Sequence, residues 1–503
     1  MDSARWDGIR LPPATRSRFY PEFGVLSPGG AGRRIWYSAG MRRRLPSLRT
    51  VCALLLTASL AVVPAARASG NRVVLVSLDG LYPEIYRAAT ALGVQVPNLE
   101  QLAAEGTSAD GMRGILPTAT YPSHTTLITG VRPGRHGVVA NSVFAPGESE
   151  AAWYWYADSI RVTTLPQAAA AAGLSVGVSC WPALCGAPYV RWQLPEIWSL
   201  GAGDTSSRDK VLRWATPGLV AEVEARFGAW TDVRFEWGHQ DDRITDGAVY
   251  LLEAKRPQLL LVHLVEVDHV LHAEGRNAPA ALRAFELADA QIGRLRAAIA
   301  AAGLADSTNL VIVGDHGFTN VHTEVRPNIE LVRLGVLQPG GGRAGTWRAI
   351  ARTTTAVAAV YLHDPRDRAL RDRIRRHFET LANGRYAGIF DVLTPAEKTA
   401  YETFPGAALV LVCHPGYAFS GRDQGEFLAA SRSRGMHGYR PEEPDMEAGF
   451  IAAGPAFARG LRVPRVRMID VAPTLARILG ADLGAQVEGV AIPGLLREPA
   501  RGQ

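Results

Sequence analysis

The chain has 503 residues, 54 of them Lys or Arg and 48 Asp or Glu, for a formal net charge of +6, a balance that on its face suggests an acidic partner such as nucleic acid or a membrane surface. The first 68 residues carry 11 of the basic and only 3 of the acidic side chains, so the remainder is near neutral and the case for specific nucleic-acid binding falls away. The roughly 435 residues beyond that segment can bury a large core, as one big domain or as a catalytic domain with an insert.

Met41 is followed by Arg42, Arg43 and Arg44, then an apolar stretch from Val51 to Val63, then Ala66-Arg67-Ala68. These are the charged, apolar and small-residue parts of a secretory signal peptide. The apolar stretch has 13 residues, short of the roughly 20 that cross a bilayer. Residues 41–68 are therefore expected to be a signal peptide cleaved near Ser69, with 1–40 an upstream extension. The expected product is exported, periplasmic or extracellular, without a transmembrane anchor. Past Cys52 three cysteines remain, of which Cys180 and Cys185 could close a small loop in an oxidising compartment, leaving Cys413 buried and free.

Three short apolar runs each lead into a carboxylate: VVLVSL into Asp79, LLLVHLVEV into Asp268 and LVIVG into Asp315. Uninterrupted apolar strands are usual in parallel sheets buried on both faces, and such sheets bind ligands beyond their carboxyl ends. An α/β fold with these carboxylates converging is the expectation. His272 lies four residues past Asp268, His316 directly follows Asp315, and His437 lies in MHGYRPEEPDM, so the set reads as a metal site. Mixed carboxylate and imidazole ligands suit zinc rather than magnesium. Asp268 and His272 share one face if their segment is helical.

Between these points the chain alternates. After Asp79, Leu99, Leu102 and Ala103 mark a helix stopped by Gly106. In LPTATYPSHTTLITGVRPGRHGVVAN, Pro122 suits a first helical turn that ends near Gly130, with Thr120 at or just before the N-terminus. Such a terminus favours bound phosphate, and a threonine hydroxyl deprotonated by zinc is a nucleophile; the plainer reading makes Thr120 an N-cap. Phe144, Trp153, Tyr154, Trp155 and Tyr156 offer an aromatic face for a base or choline-like group, or serve as core. Asn277 can cap a helix whose apolar positions Phe285, Ala288, Ile292, Leu295 and Ile299 face the sheet until Gly303. From about 330 to 430, strands such as TTAVAAVYL and ALVLVC lack site-like residues and suggest a smaller inserted α/β subdomain. His124, His136, His263 and His269 are read as structural.

The motifs VVLVSLDG, PTATYPSHTTLITGVRPGRHGVVAN, the Asp268-to-His272 spacing, VIVGDHGF and MHGYRPEEPDMEAGFIAAGPAF together strongly resemble the nucleotide pyrophosphatase/phosphodiesterase family of the alkaline phosphatase superfamily. The resemblance implies an alkaline-phosphatase-like core, with a mostly parallel central sheet flanked by helices, spanning 69–503. It implies Thr120 as nucleophile, Asn141 as the side chain that stabilises charge on the transferred phosphoryl group, and two zinc ions. One would be held by Asp79, Asp315, His316 and Thr120, the other by Asp268, His272 and His437. Val267 and Leu271 stand where relatives commonly have Pro and Gly. Related threonine monoesterases use extra Lys and Arg to hold the additional phosphate charge. The probable corresponding stretch, VGVSCWPALCGAP, has neither, and its Trp181-Pro182 resembles the diesterase pattern. Phosphodiesters or nucleotides are thus the expected small-molecule substrates, with Phe144, Tyr154 and Trp181 as substrate contacts. The rival readings are a zinc-dependent phosphomonoesterase, with Arg191 a cation that could reach the site, and a non-catalytic phosphate-binding protein.

Overall fold

The computed structural model describes residues 71–497 apart from 145–151, 202 and 341–346. The expected upstream extension, signal peptide and cleavage point lie outside the described residues.

Eight strands form one sheet: β1 (Arg72–Leu78), β2 (Thr107–Ala109), β3 (Val176–Ser179), β4 (Trp192–Leu194), β5 (Leu259–Leu264), β6 (Thr308–Val313), β7 (Phe450–Ala453) and β8 (Leu461–Val463). Their order is β8-β2-β7-β6-β1-β5-β3-β4. Only β7 runs against the rest. The three strands that lead into carboxylates are neighbours, with Val76 of β1 paired to Val262 of β5 on one side and Ile312 of β6 on the other.

Alternate residues of each strand enter opposite cores because side chains flip with a period of two. Val74, Val76, Val262 and Ile312 pack with Leu99 and Leu102 of α1 (Pro97–Glu105), Ile244 of α3 (Gln240–Tyr250), and Phe285 and Ile292 of α5 (Pro279–Ala301). Val73, Leu75, Leu261 and Val311 pack with Leu127 and Ile128 of α2 (Thr120–Thr129), and with Leu475 and Ile478 of α7 (Val471–Leu479). Helices on both faces explain why these strands read as unbroken apolar runs. The sheet's C-terminal edge also carries α4 (Glu266–Glu274), which starts just past β5.

Local expectations hold with two revisions. Gly106 ends α1 and Gly130 ends α2. Asn277, however, does not cap α5. Pro279 takes the first helical position, which holds Ala278 in extended conformation as the cap residue. Asn277 is left at φ +62°, accepting a 2.8 Å hydrogen bond from the Tyr82 hydroxyl. Likewise TTAVAAVYL is not one strand. Thr354 ends one strand, Thr355 turns the chain at φ +54°, and Val357 begins the next.

Those two strands, Ala349–Thr354 and Val357–Leu362, join Leu409–Cys413 and Phe390–Val392 in a separate antiparallel sheet. Leu370, Ile374 and Phe378 of α6 (Arg368–Asn383) pack against it. A third sheet is built on Thr319–Val325, whose first residues pair with Gly435–Met436. That pairing delivers His437 beside the segment that follows Asp315 and His316.

The cysteine loop does not close. Cys180, Cys185 and Cys413 are all free and buried, the Cys180 thiol facing Glu196 Oε2 at 3.7 Å while backbone pairing ties Cys185 to Trp155. Among the described residues no helix is long and apolar enough to cross a membrane.

Candidate active site

The three carboxylates gather at the C-terminal edge of the central strands. Asp79 follows β1 directly, and its N–H still donates to the Leu264 carbonyl at 2.9 Å. Asp315 stands two residues past β6, and Asp268 lies in the first turn of α4. The glycines of VIVGDHGF are there for close approach. A Cβ on Gly314 would sit 2.1 Å from the Leu81 carbonyl oxygen, and one on Gly317 would sit 2.0 Å from that of Asp445. Larger residues on either flank would push Asp315 and His316 out of the edge.

Each histidine of the set is held the same way. Nδ1 hydrogen-bonds a backbone carbonyl: His316 to Gly317 at 3.1 Å, His437 to Thr118 at 2.9 Å and His272 to Gly435 at 3.0 Å. A carbonyl can only accept, so the proton is on Nδ1 and the Nε2 lone pair faces the carboxylates. His316 Nε2 lies 3.3 Å from Asp79 Oδ1, 3.2 Å from Asp315 Oδ2 and 3.9 Å from Asp268 Oδ1. His437 and His272 approach the two oxygens of Asp268 at 3.7 and 3.5 Å. Outer hydrogen bonds that fix a ring's tautomer and direction are typical of metal ligands.

The electrostatics are unbalanced without a cation. Burial, reinforced by the charges of Asp315 and Asp268, raises the Asp79 carboxyl well above its ordinary range. Burial likewise lifts Asp268 to about 6, lowers His316 to about 3 and holds His437 well below its usual value. Asp79 Oδ1, Asp268 Oδ1, Asp315 Oδ2 and His316 Nε2 are buried and make no hydrogen bond. Unpaired buried polar atoms are costly, and four such atoms converging fit a bound cation. Donor atoms of Asp79, Asp315 and His316 lie within 4.8 Å of one another, as do those of Asp268, His316 and His437. His316 thus reaches both groups rather than one, and His272 approaches Asp268 from its second oxygen.

Thr120 is the first residue of α2, not its cap; Ala119 holds that place and supplies no capping side chain. The Thr120 hydroxyl is therefore not spent on the helix end. Asn141 accepts from the Tyr121 N–H at 3.0 Å, which commits its carbonyl oxygen and leaves its amide N–H groups as donors. Thr120 and Asn141 line a cleft of about 440 Å³ together with Asp79, Asp268, His272 and His437.

The other half of that cleft is aromatic, formed by Trp153, Trp198, Phe235 and Trp237. The expected substrate contacts lie elsewhere. Trp181 is wholly buried in the core, edge-on to His124, in the cluster that also holds Val176 and Val178. Phe144 stacks on Tyr361 at 4.3 Å and lines a different, smaller hollow. Tyr154 is absent from the lining and packs at the edge of a core, its N–H donating to the Asn141 carbonyl. Arg191 is exposed, lies 4.7 Å over Trp192 and does not line the cleft.

Two of the histidines read as structural back the site directly. His263, on β5, bridges Glu196 and Asp79. His124 bonds the Thr120 carbonyl at 2.8 Å and stands 3.6 Å from Asp315 Oδ2. The visible signal for His263 was a lone polar residue inside an apolar strand, paired in register with Ser77 two residues before Asp79. His136 bonds Thr126 inside the core, and His269 stacks on Trp237 at the cleft.

Residues 73–440 match the family described as type I phosphodiesterase / nucleotide pyrophosphatase. The Homo sapiens ectonucleotide pyrophosphatase/phosphodiesterase family member 7 is 25% identical over 460 residues, covering 85% of this chain and 86% of that relative. Among solved structures, human ectonucleotide pyrophosphatase / phosphodiesterase 5 aligns with a TM-score of 0.61 at 19% identity, over 85% of this chain and all of that one. The murine counterpart, an inactive form in complex with AMP, aligns with a TM-score of 0.60 at the same identity and coverage. These likenesses place the fold with the alkaline-phosphatase-like structures.

Proposed function

The chain belongs to the type I phosphodiesterase / nucleotide pyrophosphatase family and is a hydrolase of phosphodiester bonds, and on that premise we propose that it is an exported two-zinc enzyme working through a covalent intermediate on Thr120. Four buried, unpaired ligand atoms beside the head of α2 carry this reading. The proposed holders of one zinc are Asp79, Thr120, Asp315 and His316, and of the other Asp268, His272 and His437. When bound, the ions would supply acidity to the Thr120 hydroxyl and to water, and positive charge for the phosphoryl oxygens.

In the proposed reaction Thr120 Oγ attacks phosphorus. The new Oγ–P bond replaces the P–O bond to the first alcohol or phosphate, which leaves with a proton. Water then attacks the same phosphorus, releases Thr120 and yields a phosphomonoester. Asn141 donates its amide N–H to the phosphoryl oxygen as charge grows there. The positive end of α2 adds to that stabilisation. The aromatic half of the cleft gives the organic part of the substrate an apolar seat.

Diesters are favoured by the cleft's cations. Among the described residues lining it, Arg243 is the only Lys or Arg, and it is partly engaged by its neighbours. It donates to the Arg234 carbonyl at 3.0 Å and lies 4.6 Å over the Phe235 ring. A monoester dianion would meet no ammonium there and a single guanidinium, that of Arg243, whose Nε–H is already committed. The zinc-loaded enzyme is expected to prefer bis(p-nitrophenyl) phosphate to p-nitrophenyl phosphate by about 10-fold or more in kcat/KM. A preference for the monoester would sink the diesterase reading and turn attention to Arg243.

A further inference from the structure

Asp79 and Asp315 share a pattern that metal binding alone does not explain: in each, one oxygen is committed to a hydrogen bond and the other is left bare. For Asp315 the backbone does this, the N–H groups of Gly80 and His316 both donating to Oδ1 at 3.0 Å while Oδ2 is unpaired. For Asp79 a side chain does it. His263 Nε2 meets Oδ2 at 3.1 Å while Oδ1 is unpaired. The other ring nitrogen, Nδ1, is held by Glu196 Oε2 at 2.6 Å. Asp79, His263 and Glu196 are 4%, 1% and 5% exposed, so little solvent reaches these bonds.

We propose that His263, anchored by Glu196, is a positioning residue that reserves Asp79 Oδ2 and leaves Oδ1 alone for the metal. This rests on the two-zinc reading above. A free carboxylate can turn both oxygens to a cation, filling a coordination position that the nucleophile needs. Tying one oxygen prevents that, and a ring clamped at both nitrogens cannot swing away. Ordering such outer partners typically changes metal affinity or activity by 10- to 100-fold.

The same residues admit a rival. Donor atoms of Cys180, Glu196 and His263 lie within 4.8 Å of one another, a set that would suit a third zinc. The hydrogen bonds decide against it. The Glu196 oxygen and both His263 nitrogens already have partners within the protein, whereas in the other two groups Asp79 Oδ1, Asp268 Oδ1, Asp315 Oδ2 and His316 Nε2 are bare.

The test compares the protein with His263→Leu, which removes the donor, and His263→Gln, which restores an N–H. Zinc content, zinc affinity by chelator competition, Tm, kcat and KM are read for each. The expected result is two zinc ions in the unsubstituted protein. His263→Leu should weaken one of the two by about 10- to 100-fold and lower kcat by a similar factor, with KM changed less than about 3-fold. His263→Gln should recover most of both losses. Should His263→Leu fail to fold, Glu196→Gln replaces it, with an expected loss of about 5-fold in the affinity of that one zinc. Two zinc ions bound with unchanged affinity in these variants would overturn the proposal while leaving the two-zinc reading intact. A third zinc lost in Cys180→Ser would also overturn it. An unsubstituted protein that binds no zinc would remove the reading beneath it.

Discussion

Replacing Thr120 by alanine is expected to lower kcat/KM toward a phosphodiester by about 10⁴-fold or more, with little change in Tm. Both halves of that result follow from where the residue sits. Ala119 occupies the cap position of α2, and no side chain caps this end, so removing the hydroxyl takes no hydrogen bond from the helix. An N-cap replaced by alanine would instead cost about 1 kcal/mol of stability and little chemistry. Thr120 is 8% exposed and opens on the cleft, where a nucleophile has to be. Thr120→Ser, which keeps the hydroxyl, should recover activity to within about 10-fold of the original. Steady-state kinetics beside a thermal melt separates the cases. An alanine variant that keeps a tenth of the activity would place the nucleophile elsewhere.

Stripping the metal should abolish turnover and destabilise the fold most strongly at alkaline pH. Asp79 and Asp268 have folded pKa values raised above the ordinary 3.8, Asp268 to about 6. The sign follows directly. A carboxyl group raised by folding supports the fold fully below 3.8, and that support drains away as pH climbs through the folded value. Above about pH 6 the metal-free protein must then hold the ionised Asp268 carboxylate in a buried edge, with the Asp79 carboxyl following at higher pH, and a cation would neutralise that charge. Ligands must also lose their protons to bind, so zinc competes poorly in acid. Saturating zinc is expected to raise the Tm of the chelated protein by about 5 °C or more at pH 8, and by clearly less at pH 5. Melting curves indifferent to zinc at pH 8 would contradict the assignment of these residues as ligands.

The parts of the site that were legible in the sequence are those fixed by covalent neighbours. Asp79, Asp268 and Asp315 follow apolar runs, so a parallel sheet brings them to one edge whatever the loops do. Asp268 and His272 are four apart on one helix, and His316 is bound to Asp315. Pro122 and Gly130 bracket α2 and thereby locate Thr120. What stayed hidden depends on contacts between distant segments. Glu196 bonds His263 across 67 residues and His263 bonds Asp79 across 184, and nothing local to Glu196 marks it as the anchor. The aromatic wall suffered the same way. A run of aromatics from Trp153 to Tyr156 advertised itself, yet the cleft takes Trp153 from it and adds Trp198 and Trp237 from elsewhere. Trp181 was chosen by motif, but the chain turns at Cys180, at φ +58°, just past the strand and Trp181 is buried in the core. Cys180 and Cys185 are close in sequence, and the thiol of Cys180 nonetheless turns to Glu196.

In the proposed reaction phosphorus passes through Thr120 before water reaches it. The stereochemical course at phosphorus tests this most directly, using a diester made chiral by sulfur substitution and hydrolysed in isotopically labelled water. Two successive in-line displacements each invert the centre, so net retention of configuration is expected. Inversion would mean a single direct attack by water, and would contradict the covalent intermediate on Thr120.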